Sequence, residues 1–326
     1  MSETGDRQPL LALVGPTAVG KTALSLEIAE RFGCEIISGD SMQVYRGMDI
    51  GTAKATPEER ARVPHHLIDI RDPWEPFSVS DYRKLAEEAI RGIAARGKLP
   101  FIVGGTGLYI QSVCYQYEFP EGGADETYRR ELRQFADARG AEALHGLLRE
   151  VDPETAARLH PNDVRRVIRA LELHRLTGVP MSEHLRRQRR SSAYRLIMIG
   201  LTMERDMLYR RIEERVDRMI EAGLVEEVAA LLEKGCTERM TSMQALGYKE
   251  IAEYLRGRVT LAEATENLKR NTRRFAKRQL SWFRGMKDVK WVQLEDADKI
   301  YENLATISDI IAGKLALRTE YNGKQC

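Results

Sequence analysis

Eight residues near the N-terminus restrict the fold more than any other feature of the chain. Gly15-Pro16-Thr17-Ala18-Val19-Gly20-Lys21-Thr22 follows the apolar run Leu10 to Val14 and precedes a helical pattern through Leu24, Ile28 and Phe32. This is G-x-x-x-x-G-K-[ST] between a strand and a helix, the setting in which successive backbone N–H groups converge on phosphate oxygens. The helix start adds positive potential, Lys21 adds a point charge, and the Thr22 hydroxyl suits Mg²⁺. A loop for a di- or triphosphate on an α/β sheet follows, and the loop by itself does not specify ATP.

The remaining pattern extends that sheet. Glu35 to Ser38, Leu67 to Ile70 and Pro100 to Val103 read as short strands, with a helix from Val79 to Arg96 opened by a Ser78-x-x-Asp81 capping box. Strands alternating with helices imply parallel pairing. Between Phe119 and Tyr194 strand signals vanish, and Tyr128 to Arg149 and Asp163 to Leu176 carry helical periodicity. Turns stand at Gly122-Gly123, Asp152-Pro153, His160-Pro161-Asn162 and Gly178. Leu196 to Leu201 resumes an uninterrupted apolar strand before helices at about 204–222 and 224–234. The expected fold class is α/β, a P-loop parallel sheet core flanked by helices with an inserted all-helical domain. Its divisions are a first core part over 1–118, a helical insertion over 119–195, and a return to the core with C-terminal basic helices over 196–326.

Charge is distributed unevenly over these pieces. The 51 Lys+Arg nearly cancel the 49 Asp+Glu, so a polyanion has to be held by a local patch. Arg158 to Arg215 holds fourteen Arg against seven acids, and Lys269 to Lys287 holds eight basic residues and no acid. The second region falls on a helix begun by a Thr260-x-x-Glu263 box, with Leu261, Leu268, Phe275 and Trp282 recurring every seven residues as an apolar stripe. Lys269, Arg273 and Lys277, with Arg270, Arg274 and Arg278, fall on the other side. Solvated helices usually mix Glu with Lys, so an acid-free basic face is unusual and reads either as a grip for a polyanion or as a merely soluble face. Cys34, Cys114, Cys236 and Cys326 form no C-x-x-C pair and are expected to be reduced thiols in a cytoplasmic protein. No run approaches the roughly 18 apolar residues of a membrane span.

Several residues carry chemistry with more than one reading. The best later strand, Phe101 to Val103, ends in Gly104-Gly105-Thr106-Gly107 and not in the acid that a nucleoside triphosphatase places there. An acid does close the second strand, in Ser38-Gly39-Asp40-Ser41-Met42-Gln43, where Asp40 either faces an acceptor or caps an Asx-turn. The glycines at 104, 105 and 107 serve close approach of substrate or tight packing. Arg211 and Arg215, one helical turn apart, either reach a diphosphate or pair with Glu213, Glu214 or Asp217. His65 and His66 lack a third ligand at metal spacing, and Asp69 and Asp72 hold a cation or cap turns.

Taken together, GPTAVGKT at 15–22, GDSMQVYRGMDIGTAK at 39–54, PHHLIDIRDP at 64–73, GGTGLYI at 104–110, LHPNDVRRVIRALE at 159–172, LGYKEI at 246–251 and AKRQLSWFRG at 276–285 resemble the bacterial tRNA dimethylallyltransferases. The resemblance covers nearly the whole chain in order. It implies transfer of a dimethylallyl group from dimethylallyl diphosphate to N6 of adenosine 37, in tRNAs that read codons beginning with U. On this view Asp40 is the base that assists the adenine amine, while Thr17, Lys21, Arg215 and Mg²⁺ at Thr22 stabilise the departing diphosphate, with Arg211 as companion. The loop Gly15, Pro16, Thr17, Ala18, Val19 and Gly20 then cradles diphosphate.

The target base must flip out of the anticodon loop, and Asp40, Ser41, Met42, Gln43 and Thr106 resemble residues that meet it or its flanks. Arg129 and the run Arg165, Arg166, Val167, Ile168 and Arg169 resemble a tRNA-gripping surface. Gln244, Gly247 and Lys249, and then Arg274, Lys277, Arg278 and Arg284, extend that resemblance. The partners implied are tRNA and dimethylallyl diphosphate, with no membrane and with a monomer expected. The competing readings are a P-loop small-molecule kinase using ATP, a prenyltransferase acting on free adenine nucleotides, and an RNA-binding switch without catalysis.

Overall fold

Pro9–Val14 forms β1, apolar throughout and buried on both faces, the pattern of an interior parallel strand. A computed structural model describes residues 7–115, 117, 123–188, 191–295 and 300–316. The expected Gly122-Gly123 turn, the 118/119 boundary and Cys326 fall wholly or partly outside the described residues.

After β1 come α1 (Lys21–Phe32), β2 (Cys34–Ser38), α2 (Pro57–Arg62), β3 (His65–His66), α3 (Val79–Ala95), β4 (Leu99–Gly104) and α4 (Gly107–Cys114). Gly33 ends α1 at φ 63, and Ser78 with Asp81 closes the capping box of α3. The next segment is helical: α5 (Glu126–Arg139), α6 (Ala141–Val151), α7 (Pro153–Arg158), α8 (Val164–Thr177) and α9 (Met181–Arg187). The chain continues with β5 (Arg195–Met203), α10 (Arg205–Glu221), α11 (Leu224–Glu233), α12 (Tyr248–Leu255), α13 (Leu261–Arg284), β6 (Val289–Leu294) and α14 (Ile300–Ala316).

The six strands form one parallel sheet in the order β3-β2-β4-β1-β5-β6. Two compact units divide the chain: Met1–Cys114 with Ser192–Cys326, and Tyr115–Ser191. The first holds the sheet and a core of strand residues packed with α1, α10 and α14. The second holds α5 to α9 around its own cluster of Leu132, Leu144, Leu148, Val167, Ile168 and Leu171.

The fold class agrees with the sequence, and three local expectations are corrected. Leu67 to Ile70 is not a strand: Leu67 and Asp69 have φ of 63 and 56, and the short edge strand is His65–His66. Tyr128 to Arg149 is not one helix, because Gly140 at φ 88 breaks it into α5 and α6. The seven-residue stripe on α13 drifts as a straight helix must, so Ala264, Leu268, Ala276, Gln279 and Phe283 are buried while Trp282 is 41% exposed.

Candidate active site

Strand register brings the expected residues to one edge. Val14 pairs with Gly104 and Ser38 with Val103, so β1, β4 and β2 end level and deliver Gly15, Gly105 and Gly39-Asp40 to the same crevice. The close packing of β4 against β2 explains one glycine: a Cβ on Gly104 would lie 2.3 Å from the Gly39 carbonyl. A Cβ on Gly105 would lie 2.2 Å from Nε2 of Gln279, and one on Gly107 2.3 Å from the Trp282 ring. Packing against β2 and α13 therefore accounts for all three glycines. Thr106 retains the polar role, its Oγ1 accepting the Ser41 N–H at 3.0 Å.

The phosphate loop is held in shape from three directions. Lys21 Nζ donates to the carbonyls of Gly15 and Pro16 at 2.9 and 2.7 Å. Arg211 Nε on α10 donates to the Ala18 carbonyl at 3.0 Å, at a residue whose φ of 64 is left-handed without being glycine. Gln279 on α13 accepts the Thr17 N–H at 2.8 Å. Gly20 at φ 105 opens α1 with no side-chain cap, so the first-turn N–H groups remain available to an anion.

Charge is concentrated at this point. Burial, reinforced by Arg215, pulls the Lys21 ammonium down to about 7 against the opposing pull of Asp40. Burial also lowers the Arg215 guanidinium, with Arg218 and Arg211 adding repulsion and Asp40 attraction. Glu213 pairs with Arg273 by its Oε1, and Asp217 with Lys269 at 2.7 Å, so neither is engaged with Arg211 or Arg215. Cations crowded around one carboxylate are relieved by an incoming polyanion.

Asp40 makes the turn that one of its two sequence readings expects. Its Oδ1 accepts the Met42 N–H at 2.8 Å, an Asx-turn, and the residue also lines the crevice. Ser38 Oγ donates to Gln43 Oε1 at 2.9 Å, while Gln43 Nε2 donates to the carbonyls of Thr52 and Ala53 at 3.3 Å. That second loop is anchored by Glu227 on α11, whose carboxylate accepts the N–H groups of Asp49, Ile50 and Gly51 and the Tyr248 hydroxyl. Lys54, buried, donates to Asp49 at 2.5 Å and Asp69 at 2.6 Å, so Asp69 holds an internal lysine. His66 bonds Glu35 at 2.7 Å and His65 the Val63 carbonyl at 2.7 Å, which satisfies the pair within the fold.

Two cavities meet here. One, of about 370 Å³, is lined by Thr17, Gly20, Lys21, Thr22, Arg211 and Gln279. The other, of about 300 Å³, is lined by Ser41, Met42, Thr106, Gln244, Lys249 and Arg278. Thr17, Asp40, Thr52, Arg215 and Phe275 line both. Thr52, Phe275, Gln279 and Glu227 are not among the site residues expected from sequence, although Thr52 falls within the run at 39–54 and Gln279 within the run at 276–285.

Other expected RNA contacts divide. Arg274, Lys277, Arg278 and Arg284 are exposed on α13, whereas Lys269 and Arg273 are tied to α10. Gly247 is buried at the start of α12, with φ 94. In the helical unit Arg165 and Arg166 are exposed, the latter beside Asp163 at 3.3 Å. Val167 and Ile168 are 0% and 4% exposed, so their side chains are core and not an RNA surface. Arg129 and Arg169 both bind the carboxylate of Glu172.

Comparison with known proteins sets these residues in context. Residues 43–286 match the family model described as IPP transferase, and residues 8–71 match the one described as Isopentenyl transferase. The tRNA dimethylallyltransferase of Geobacillus thermodenitrificans is 56% identical over 310 residues, covering 95% of this chain and 98% of the relative. The crystal structure of the full-length tRNA isopentenylpyrophosphate transferase from Bacillus halodurans is similar at 52% identity and a TM-score of 0.71, covering 96% of this chain and 100% of that one. A eukaryotic dimethylallyltransferase, crystallised acting on tRNA, is similar at 29% identity and a TM-score of 0.81, covering 94% of this chain and 79% of that one.

Proposed function

The chain belongs to the tRNA isopentenyl (dimethylallyl) transferase family, and from that premise we propose how its residues divide the reaction. It transfers a dimethylallyl group from dimethylallyl diphosphate to N6 of adenosine 37 in tRNAs reading codons that begin with U, giving N6-isopentenyladenosine and diphosphate. The two cavities are the donor and acceptor ends of one channel. The observation that carries this reading is that Thr17, Asp40 and Arg215 line both.

The donor's diphosphate occupies the cradle of Gly15 to Thr22, and the flipped adenine enters past Ser41, Met42 and Thr106, with Gln43 bracing the 52–53 turn behind them. An exocyclic adenine amine is a weak nucleophile because its lone pair is delocalised into the ring. As N6 bonds to the allylic carbon, the bond from that carbon to oxygen breaks and its electron pair leaves with diphosphate. The N6 proton passes to the Asp40 carboxylate, whose Oδ1 is held by the Met42 N–H while Oδ2 has no protein partner among the described residues. The Thr17 hydroxyl, Lys21, Arg215 and Arg211 take up the charge that develops on the departing oxygens.

The donor end also fits Mg²⁺. No group of three His, Cys, Asp or Glu side chains able to hold a metal stands among the described residues, but Mg²⁺ commonly keeps waters and substrate phosphates as most of its ligands. Thr22, on the first turn of α1 and in the cavity wall, is the residue placed to hold it, and the ion would offset charge on the diphosphate. On the RNA side, Gln244, Lys249 and the exposed basic residues of α13 form the gripping surface in the sheet unit, with buried Gly247 shaping the start of α12 beside them. Arg165 and Arg166 offer a further one in the helical unit. No helix among the described residues is long and apolar enough to cross a membrane, and the proposed setting is the cytoplasm.

Labelled dimethylallyl diphosphate incubated with an A37 anticodon stem-loop, with and without Mg²⁺, tests the reading. The expected product is label at N6 of A37, dependent on Mg²⁺. Transfer of γ-phosphate from ATP to a small acceptor, or alkylation of free AMP in preference to the stem-loop, would overturn it.

A further inference from the structure

From α13, Gln279 reaches the phosphate loop by a hydrogen bond. It is 6% exposed, its Oε1 accepts the Thr17 N–H at 2.8 Å, and its Nε2 donates to the Gly105 carbonyl at 3.0 Å. Both ends of the carboxamide are therefore committed, and Gly105 leaves no room for a Cβ beside it. The same helix exposes Arg274, Lys277 and Arg278, and Arg278 lines the acceptor cavity. One rigid element thus carries the RNA-facing cations on one side and a clip on the donor loop on the other.

We propose that Gln279 is a positioning residue that sets Thr17 for the diphosphate and makes donor affinity respond to RNA seated on α13. The inference rests on the functional reading above. The loop it holds is strained, since Ala18 is left-handed without being glycine, and the Thr17 amide lies one residue away. Fixing α13 with a polyanion fixes Gln279, which fixes Thr17. By linkage, donor-site occupancy must tighten RNA binding by the same factor.

The test uses the full chain, inorganic diphosphate with Mg²⁺ as donor-site probe, and an A37 stem-loop as the RNA. In the wild type the diphosphate Kd should fall by about fivefold or more when the stem-loop is present. Gln279→Met, similar in volume and without hydrogen-bonding capacity, should reduce that factor to about one. It should raise KM for dimethylallyl diphosphate about tenfold, change kcat at saturating donor less than about threefold, and leave the stem-loop Kd and its salt slope, both measured without diphosphate, unchanged. Gly105→Ala, which drives Gln279 from its seat, should reproduce the loss of coupling while retaining the glutamine. A folded Gln279→Met protein with wild-type coupling overturns the inference, as does a wild-type factor of one with alkylation intact. Absence of both diphosphate binding and alkylation in the wild type would instead overturn the functional reading, and the inference with it.

Discussion

Arg129 and Glu172 form an ion pair at 2.8 Å in which the carboxylate is wholly buried and the guanidinium 28% exposed. Arg169 binds the same carboxylate at 2.6 Å, and the Asp125 N–H donates to it at 2.8 Å. Two arginines with the look of an RNA surface therefore first serve to neutralise one internal acid of the helical unit. Removing Glu172 takes the shared acceptor from both cations, leaving Arg129 with Glu126 and the Asp125 N–H without its carboxylate, a loss of about 1–3 kcal/mol. Glu172→Ala should lower the denaturation midpoint of the helical unit strongly, as followed by circular dichroism. Arg165→Ala, on an exposed residue of the same helix, should leave it within about 0.5 kcal/mol.

Asp40 carries a structural bond and a proposed proton transfer on one side chain, and two substitutions separate them. Asp40→Asn keeps an acceptor for the Met42 N–H and loses the base, so single-turnover rate should drop by roughly two to four orders of magnitude with stem-loop and donor binding preserved. Asp40→Ala removes the turn as well and should add weaker stem-loop binding. An Asn variant turning over near the wild-type rate would remove the proposed base from the mechanism.

Lys21 should leave a signature in stability as well as in catalysis. Its pKa falls from 10.5 in the unfolded chain to about 7 in the folded one, so the unfolded chain binds more protons between those limits. Stability of the free protein should therefore rise with pH across about 7 to 10.5, with this residue contributing a slope of at most about 1.4 kcal/mol per unit. Lys21→Met should flatten that part of the profile in urea titrations while abolishing diphosphate binding. A parallel profile in the two proteins would show that the lysine is not desolvated.

The basic residues of α13 should split into two groups in a salt titration. Arg274, Lys277 and Arg278 are exposed and have no ion pair among the described residues, so their joint replacement by alanine should weaken stem-loop binding. It should also flatten log Kd against log salt by up to about 0.7 per lost phosphate contact. Lys269 and Arg273 are already neutralised by Asp217 and Glu213, and replacing them should alter stability while sparing the slope.

The sheet was legible because its signals are local. A phosphate-loop motif after an apolar run, capping boxes at Ser78 and Thr260, and strands of four to six buried residues are written in consecutive letters. Strand β6 escaped because Val289–Leu294 alternates burial only partly, and its apolar face is recognisable once β5 lies beside it. Site residues were legible where a motif named them and illegible where distance did: Gln279 meets Thr17 across 262 positions, and Glu227 meets Ile50 across 177. The pairings of Arg129 with Glu172, Lys269 with Asp217 and Arg273 with Glu213 are illegible because the acids are remote in sequence, whereas Glu172 stands only three residues from Arg169. Composition counts charges but cannot see that Glu172 or Asp217 has already claimed them.

The sheet order has a consequence for how the enzyme is made. β1 lies between β4, which precedes the helical unit, and β5, which follows it, and Ala18 is gripped by Arg211 from the later half. A nascent chain that has emerged only as far as Cys114 thus contains every letter of the phosphate motif, yet one flank of its central strand is bare and its strained turn unsecured. Competence to hold an anion arrives late in synthesis, after the ribosome has delivered a segment nearly two hundred residues downstream.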